Sequence, residues 1–454
     1  MSAAVLWLTG LPLQADESAT VPNLLVIMAD DLGYADVGFN GCKDIPTPHI
    51  DSIAKNGVMF TSGYVAYPVC GPSRAAFITG RYGQRFGFER NPQYSTEDAE
   101  MGLPKSETTI ASALQKVGYH SGVIGKWHLG AHESLHPLSR GFDEFYGHLG
   151  GGHRYLPEEL TIKNSVDAKG EAQSYRTWIL HNHKPVPPRK YLTDEFSEEA
   201  VSFIRKNHES PFFLFLSYNA PHGPLQATEK YLSRFSHIKN KKRRIYAAMV
   251  SAMDDGVGEV LEELRETGVE ENTLIFFLSD NGGPQSKNGS NNAPLRGNKS
   301  DVWEGGYRVP FALQWSAKIK AGTVYDKPII SLDIFGTIAA LSSAPIAKER
   351  PLDGVNLIPF LTGQKQGDPH EALFIRKFDQ GRFAVRHGDS KLVIDKADGS
   401  PLLFDLSKDI SEKNNTAKGH PERVAELNRL RENWNKELIE PTFEGLIHIE
   451  KKGK

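Results

Sequence analysis

Short, predominantly apolar runs that end in polar clusters recur along the first part of the chain. Such runs lie at residues 23–29, 211–217 and 273–278, and a further strand-like run lies at 120–124. Consecutive apolar positions over strand length are typical of parallel strands that are covered on both faces of their sheet. Polar residues follow directly at the carboxyl end of each run.

Segments with a helical spacing of apolar residues alternate with these strands. The longest predicted helix is at 243–266, where Ile245, Met249, Ala252 and Val260 recur with a helical period. Shorter helices are predicted at 47–56, 107–117 and 331–341, and a further strand-like segment at 307–315. The alternation predicts an α/β fold with a doubly wound, mostly parallel sheet. Ligands of such sheets bind outside the carboxyl ends of the strands.

The pattern changes after residue 362. A polar connector containing glycine lies at 363–369, and short strand-like runs follow at 372–378, 382–386 and 391–394, before a helix at 421–436. We therefore predict a main domain at 22–362 and a smaller C-terminal α+β subdomain at 363–454, built on an antiparallel sheet.

Composition excludes some classes of partner. The net charge of the 454-residue chain is −3, which gives no reason to expect nucleic acid or an acidic membrane surface as a partner. Beyond the N-terminus, no apolar run is long enough to span a membrane. The chain has two cysteines, Cys42 and Cys70, and no disulfide framework is expected.

The N-terminal residues form a separate segment of the chain. Residues 1–15 form a short apolar run that ends at Ala15 and is followed by Asp16 and Glu17. This resembles the later part of a signal peptide, although the usual basic start is missing. A disordered tail is the alternative. With the signal peptide, the predicted location is periplasmic or secreted.

Acidic and amide side chains follow two of the predicted strands. Asp30 and Asp31 come after the run at 23–29, and Asp280 and Asn281 come after the run at 273–278. Adjacent carboxylates repel each other, and a divalent cation between them removes the repulsion. All four residues offer oxygen, which favours Ca²⁺ over Zn²⁺. Helix capping or turn formation is the alternative for the first pair taken alone.

A lone cysteine stands in an unusual context. Residues 67–81 read Tyr-Pro-Val-Cys-Gly-Pro-Ser-Arg-Ala-Ala-Phe-Ile-Thr-Gly-Arg. Single cysteines are usually small buried hydrophobes. Here Pro72 suits the first turn of a helix, which would place Cys70 at the positive end of that helix beside Arg74. The stretch resembles the signature of the type I sulfatases, in which this cysteine is oxidised after translation to formylglycine.

The resemblance extends from about residue 23 to about residue 361 and implies a fold, a cofactor and a reaction. The implied fold is the alkaline phosphatase-like sulfatase fold, and the implied reaction is hydrolysis of a sulfate ester. A formylglycine-generating maturase is implied as a partner. The implied Ca²⁺ ligands are Asp30, Asp31, Asp280, Asn281 and an oxygen of the modified Cys70.

The resemblance also implies catalytic roles for five further residues. Arg74 orients the formylglycine hydrate. Lys126, Lys299 and His222 hold the sulfate, and either His222 or Lys299 protonates the leaving alcohol. His128 takes the proton from the second hydroxyl of the diol, which allows sulfate to be expelled and the aldehyde to re-form. Taken singly, lysines and histidines of this kind are more often structural.

The substrate is expected to be a sulfated carbohydrate. The segments with the least generic residues are 84–92, 146–155 and 285–296. Aromatic, histidine and arginine side chains suit a sulfated sugar, although loop packing explains any one of them equally well. The candidate substrate-binding residues are Arg85, His148, His153, Arg154 and Arg296.

Several interpretations of the substrate and of the class of protein stay open. The run at 70–88 is similar to enzymes that act on carrageenan-type galactans, and N-acetylgalactosamine sulfatases and general arylsulfatases are alternatives. A phosphomonoesterase or phosphodiesterase on the same fold would carry Asp-His at the second strand end, where this chain has Asp280-Asn281. A non-catalytic protein that binds sulfated glycans is a further alternative.

Overall fold

The computed structural model describes residues 21–159, 177–396 and 399–446. The signal peptide predicted at 1–15 lies outside these ranges. The strands are β1 (Asn23–Ala29), β2 (Val58–Phe60), β3 (Gly63–Tyr64), β4 (His120–Lys126), β5 (Glu144–His148), β6 (Ile179–His181), β7 (Lys184–Val186), β8 (Phe212–Ser217), β9 (Thr273–Ser279), β10 (Phe311–Gln314), β11 (Thr323–Tyr325), β12 (Ile329–Ile330), β13 (Leu373–Lys377), β14 (Arg382–His387), β15 (Ser390–Ile394) and β16 (Leu402–Asp405). The α-helices are α1 (Pro48–Lys55), α2 (Cys70–Thr79), α3 (Ile110–Gln115), α4 (Leu192–Asn207), α5 (Glu229–Leu232), α6 (Lys241–Glu266), α7 (Gln285–Asn288), α8 (Glu304–Tyr307), α9 (Asp333–Ser342), α10 (Ile358–Leu361) and α11 (Pro421–Asn435).

A ten-stranded sheet forms the centre of the fold, with the order β11-β2-β10-β9-β1-β8-β4-β5-β6-β7. The five neighbouring strands β9, β1, β8, β4 and β5 are all parallel. Strand β10 runs antiparallel to both its neighbours, and β6 and β7 add antiparallel pairings at the opposite edge. The predicted doubly wound, mostly parallel sheet is confirmed.

Helices cover both faces of this sheet, as its central strand shows. Leu24, Val26 and Met28 of β1 pack into a core that includes residues of α2, α3 and α9. Leu25 and Ile27 alternate with them and pack into a second core with residues of α1, α4 and α6. Because both faces are buried, the strand needs apolar side chains at every position, which explains its continuous apolar run.

A second, four-stranded sheet follows in the C-terminal part of the chain. Strands β13 to β16 pair antiparallel in chain order. Helix α11 covers this sheet, and Leu427 packs against Val385, Leu392 and Leu403. The predicted α+β subdomain on an antiparallel sheet is therefore confirmed, and its boundary at residue 363 stays a prediction.

Several element bounds differ from the sequence-based expectation for local reasons. Helix α3 spans Ile110–Gln115 and is shorter than the predicted 107–117, because Thr109 and Ser112 form a reciprocal capping box that starts it. The segment predicted at 307–315 contains the end of a helical turn, α8, before β10 begins. Helix α4 was not predicted. Neither were the short strands, each two to five residues long: β2, β3, β5, β6, β7, β11, β12 and β16.

Two further structural facts bear on location and chemistry. Among the described residues, no helix combines the length and the apolar character needed to cross a membrane. Cys42 and Cys70 are both free thiols, Cys70 buried and Cys42 partly exposed.

We expect Gly125→Ala to destabilise the fold strongly. Gly125 has a φ of +108° in β4, and a Cβ there would lie 1.9 Å from the backbone oxygen of Ser217. Strain and clash together should lower the free energy of unfolding by roughly 3 kcal/mol or more. Gly118→Ala is the matched control, because Gly118 also has a positive φ of +87° but a Cβ there meets no atom within 4 Å. Its loss should be about 1–2 kcal/mol. Equal losses in denaturant unfolding would contradict the steric argument.

Candidate active site

The polar clusters that follow the central strands meet at one edge of the large sheet. Strand β1 lies between β8 and β9, and β4 lies beside β8, all parallel. Their carboxyl ends therefore lie side by side. Asp30 and Asp31 follow β1, Asp280 follows the last residue of β9, and Lys126 ends β4. His222 lies a few residues beyond the end of β8.

Cys70 lies at the centre of this edge. It is the first residue of α2, every residue of which is buried. The Lys299 Nζ donates a hydrogen bond to the Cys70 Sγ at 3.1 Å. Ligand atoms of Cys70, Asp30, Asp31 and Asp280 all lie within 4.8 Å of one another. The structure thus brings together the cysteine and the three acidic residues that the sequence placed in one site.

Each of the three carboxylates has a cation beside it. Lys126 Nζ lies 2.5 Å from Asp30 Oδ2, and Lys299 Nζ lies 2.6 Å from Asp31 Oδ1. Arg74 Nη2 lies 2.9 Å from an oxygen of Asp280. Five of the six side chains are fully buried or nearly so, and Lys299 is 17% exposed. Three carboxylates and three cations therefore balance in charge within a site that largely excludes water.

Burial and the neighbouring charges shift the pKa values of Asp280 and Asp31 in opposite directions. Burial raises the pKa of Asp280 to about 6, and the negative charge of Asp30 adds to the effect. Burial also acts on Asp31, but Lys299 and His222 outweigh it and lower the pKa of Asp31 to about 2. For Lys299, Asp31 and Cys70 overcome the opposing effect of burial and hold the pKa well above its ordinary value. Lys299 is therefore a firmly held cation.

The oxygen atoms of the site fit a hard divalent cation. Within the described residues, Asp30 Oδ1 and Asn281 Oδ1 are buried and have no hydrogen-bond partner. A buried, unsatisfied oxygen is unfavourable unless something binds it. Asn281 also donates from Nδ2 to Asp31 Oδ1 at 2.7 Å, which directs its amide oxygen away from that carboxylate. Asp30, Asp31, Asp280 and Asn281 together offer oxygen donors that Ca²⁺ prefers, without an imidazole among them.

The two histidines of the site are both held neutral. His128 is buried with a φ of +59°, and burial together with Lys126 lowers the pKa of His128 well below its ordinary value. Neither of its ring nitrogens has a hydrogen-bond partner among the described residues. Burial lowers the pKa of His222 to about 4. The His222 Nδ1 donates to the Gly223 oxygen at 2.6 Å, and its Nε2 lies 3.6 Å from Asp31 Oδ2.

Two further residues, Ser217 and Asn91, contribute to the site and were not predicted from the sequence. Ser217 Oγ accepts a hydrogen bond from Arg74 Nη1 at 2.5 Å and donates to the Lys126 oxygen at 2.6 Å. Asn91 Oδ1 accepts from the Gly71 N–H at 2.9 Å. Ser217 is the polar residue that ends an apolar strand, so its position at the strand end was a usable signal.

The arginines proposed to bind substrate have protein partners. Arg85 pairs with Asp353 at 2.8 Å and with Glu437 at 2.6 Å. Arg154 pairs with Glu159.

The third such arginine is Arg296. It stacks on the Trp303 ring at 3.5 Å and donates to the Glu412 oxygen at 2.8 Å. Each of the three side chains thus has a structural partner, and their role toward substrate stays a prediction.

The two candidate histidines lie on the other side of β4. His148 ends β5 and pairs in register with Lys126. It is fully buried, and its ring lies 4.9 Å from that of His153. The His153 ring nitrogens lie 2.9 and 2.8 Å from the oxygens of Arg154 and Thr177. His148 is thus next to a catalytic candidate, whereas His153 faces backbone oxygens.

Known proteins resemble this chain over most of its length. The family model described as Sulfatase matches residues 22–344. The crystal structure of Ps i-CgsB in complex with k-i-k-neocarrahexaose is 41% identical, covers 93% of this chain and 95% of its own, and superimposes with a TM-score of 0.88. Steryl-sulfatase of Homo sapiens is 33% identical, with 79% of this chain and 72% of that protein covered. N-acetylgalactosamine-6-sulfatase of Mus musculus is 34% identical, with 80% and 71% covered.

Proposed function

Because this chain belongs to the sulfatase family and is a sulfuric ester hydrolase, we propose that it desulfates a carrageenan-type galactan with Ca²⁺ and a formylglycine formed from Cys70. One observation carries the proposal. The Cys70 Sγ lies at the start of a buried helix among three carboxylates and beside the ammonium of Lys299. This arrangement suits a nucleophile that works against an anionic ester.

The encoded thiol is itself poorly suited to attack. Burial raises the pKa of Cys70 to about 12, although Lys126 and Lys299 oppose the shift. The thiolate is the reactive form of cysteine, so an unmodified Cys70 is largely inert at neutral pH. Formylglycine would supply instead a hydrated aldehyde, with one hydroxyl to attack sulfur and a second to let the enzyme reset.

The proposed calcium ligands are the oxygen donors around Cys70. Asp30, Asp31, Asp280 and Asn281 would hold the ion, together with an oxygen of the modified Cys70. The bound ion would stabilise negative charge on the nucleophile and on the sulfate. Because the surrounding carboxylates are already balanced by Arg74, Lys126 and Lys299, a dication would leave the site net positive. A positive site with little water attracts an anionic ester.

The cations are proposed to hold the sulfate and to orient the nucleophile. Lys126 and Lys299 would donate to the sulfate oxygens. His222 would join them only in its protonated form, because the one N–H of the neutral ring is used on the Gly223 oxygen. Arg74 would orient the nucleophile, because its guanidinium is fixed by Asp280, Ser217 and the Lys126 oxygen. A donor set fixed in this way need not reorganise as charge develops on the leaving oxygen.

Proton transfers are divided between His128 and Lys299. The low pKa of His128 keeps its imidazole neutral and able to accept a proton from a hydroxyl on residue 70. His222 uses its Nδ1 proton on the Gly223 oxygen, so in the neutral ring Nε2 is an acceptor. Lys299 stays protonated at the same edge, so we assign to it the proton given to the leaving alcohol.

We expect Lys299→Ala to slow poor leaving groups more than good ones. Loss of a general acid leaves the departing oxygen to carry its own charge, which penalises alkoxides far more than phenolates. A series of aryl and alkyl sulfates should therefore show a steeper dependence of kcat/KM on leaving-group pKa in Lys299→Ala than in the parent enzyme. The control is His222→Ala, which should lower all rates with little change in slope. A steeper slope in His222→Ala alone would move the acid role to that residue.

The substrate assignment is supported by the relatives. The structure at 41% identity holds k-i-k-neocarrahexaose, a six-sugar carrageenan fragment, and it matches this chain over nearly its whole length. The curated relatives act, by their names, on N-acetylgalactosamine 6-sulfate and on steryl sulfate, at 34% and 33% identity. A glycosaminoglycan N-acetylgalactosamine sulfatase or a general arylsulfatase is therefore the second candidate.

The test is sulfate release by protein whose residue 70 has been identified by mass spectrometry. Kappa- and iota-carrageenan oligosaccharides, sulfated N-acetylgalactosamine and an aryl sulfate form the panel. Release from the carrageenan fragments at the highest kcat/KM supports the proposal. Faster release from sulfated N-acetylgalactosamine or from the aryl sulfate favours the second candidate. Full activity with unmodified cysteine at residue 70 would overturn the formylglycine assignment.

The remaining parts of the proposal follow from the same chemistry. A maturase must act on Cys70 before α2 is buried in the fold, because Cys70 is only 1% exposed in the folded protein. A periplasmic or secreted location is proposed from residues 1–15.

Phosphate esters cleaved faster than every sulfated sugar, with activity restored by zinc, would favour the alternative function of a phosphoester hydrolase. Binding of carrageenan without any sulfate release by formylglycine-bearing protein would favour a non-catalytic role.

A further inference from the structure

Lys299 lies in a segment that has no regular structure of its own. Residues 296–303 belong to neither a helix nor a strand, and α8 begins at Glu304. We call residues 296–304 the Lys299 segment. The Lys299 ammonium nevertheless lies 3.1 Å from Cys70 Sγ and 2.6 Å from Asp31 Oδ1. Hydrogen bonds between Asn298 and Asp301 order part of the segment, and contacts from other parts of the chain hold it in place.

The C-terminal subdomain holds both ends of the Lys299 segment. At one end, Arg296 Nη1 donates to the Glu412 oxygen at 2.8 Å. At the other end, the Glu304 N–H donates to Glu412 Oε2 at 2.8 Å. Lys391 Nζ binds Glu304 at 2.9 Å and Glu412 at 2.7 Å, with all three side chains buried.

Lys377 holds the middle of the segment. It ends β13, and its Nζ donates to the Ser300 carbonyl oxygen at 2.5 Å and to Ser300 Oγ at 2.6 Å. Ser300 has a φ of +76°, a conformation that costs energy for a residue other than glycine. The Ser300 N–H in turn donates to the Pro68 oxygen at 2.8 Å. Ser300 is therefore fixed from two sides, one residue from Lys299 and in contact with the chain that leads into Cys70.

The choice of partner at Lys377 is unusual for a buried cation. Lys377 is 5% exposed, and burying an ammonium is expensive unless a charge compensates it. Within the described residues, its hydrogen bonds go to the two neutral oxygens of one strained residue and not to a carboxylate. A side chain that served stability alone would gain more from a carboxylate.

We propose that Lys377 is a positioning residue for the reaction: it fixes Ser300 in its left-handed conformation and so keeps the Lys299 ammonium at residue 70 and at the leaving oxygen. The inference rests on the proposed role of Lys299. Without Lys377, Ser300 can relax, and Lys299 moves relative to the sulfate. A displacement of this kind lowers kcat more than it raises KM, because the contact matters most in the transition state.

A double-mutant cycle tests the proposal with formylglycine-bearing protein and the fastest substrate of the panel above. Lys377→Met should lower kcat/KM by roughly 10- to 100-fold, mostly through kcat. In the Lys299→Ala background, the same substitution should change kcat/KM by less than about threefold, since the group it positions is absent. Ser300→Ala, which removes only the Oγ acceptor, should lower activity by roughly fivefold, and it replaces Lys377→Met in the cycle if that variant does not fold.

The outcomes distinguish the proposed role of Lys377 from that of Lys299. If Lys377→Met lowers kcat/KM by the same factor in the parent enzyme and in Lys299→Ala, the positioning role is overturned and Lys377 has a structural role only. Lys299→Ala with the activity of the parent enzyme would overturn the role of Lys299 and the inference together. A large loss in Lys299→Ala, with additive behaviour in the cycle, would leave the proposed function standing and remove only Lys377. Thermal melts of each variant check that the losses do not follow stability.

Discussion

Cys70→Ala should abolish sulfate release while the protein stays folded. Residue 70 supplies the atom that attacks sulfur in the proposed reaction. The loss should reach roughly 10⁴-fold or more. The substitution removes one buried sulfur atom next to Lys299 and leaves the backbone of α2 unchanged. We therefore expect only a small change in the thermal melt.

A control variant separates the chemistry from the fold. Cys70→Ser keeps a hydroxyl in place of the thiol but cannot supply the second hydroxyl of a hydrated aldehyde. If it is not converted to formylglycine, it should release at most about one alcohol per enzyme molecule and then stop, because the product has no route for resetting. Sustained turnover by an unmodified Cys70→Ser protein, or loss of folding in Cys70→Ala, would contradict the role given to residue 70.

Asp280→Ala should lower activity more than Lys299→Ala, by roughly tenfold or more. Asp280 Oδ2 accepts from Arg74 Nε at 3.0 Å and pairs with Arg74 Nη2 at 2.9 Å. Its removal takes away a proposed calcium ligand and the carboxylate nearest to the fully buried Arg74 guanidinium, which would keep only the neutral Ser217 and Lys126 oxygens and Asp30 at 4.0 Å. Breaking one side of a buried pair costs about 3–5 kcal/mol in the free energy of unfolding. Lys299 is more exposed, and its loss leaves Asp31 bound by Asn281.

Two measurements distinguish the metal effect from the stability effect. Calcium content should fall in Asp280→Ala and stay near one ion per chain in Lys299→Ala. Asp280→Asn keeps an oxygen beside Arg74, so it should melt closer to the parent protein than Asp280→Ala while still binding calcium weakly. Unchanged calcium content in Asp280→Ala, together with activity equal to that of Lys299→Ala, would remove Asp280 from the metal site.

Much of the sheet could be predicted because its strands are buried on both faces. An apolar side chain at every position of residues 24–29 is required by the two cores that enclose β1, and this requirement can be recognised in the sequence alone. Strands β5 to β7 and β16 lack such a continuous apolar run, since they are short and lie at or toward the edges of their sheets. Their pairing partners, rather than their own residues, determine that they are strands.

The residue types at each strand end and around Cys70 could be recognised from the sequence, because acids, amides and lysines that follow apolar runs stand out without coordinates. How these groups meet depends on the folded chain. It paired Asp30 with Lys126, Asp31 with Lys299 and Asp280 with Arg74, and it engaged Arg85 with acidic residues far along the chain. It also brought Lys377 of the second sheet to Ser300. Hydrogen bonds and ion pairs depend on distances of a few ångströms between residues that lie tens to hundreds of positions apart, and no local pattern in the chain encodes such distances.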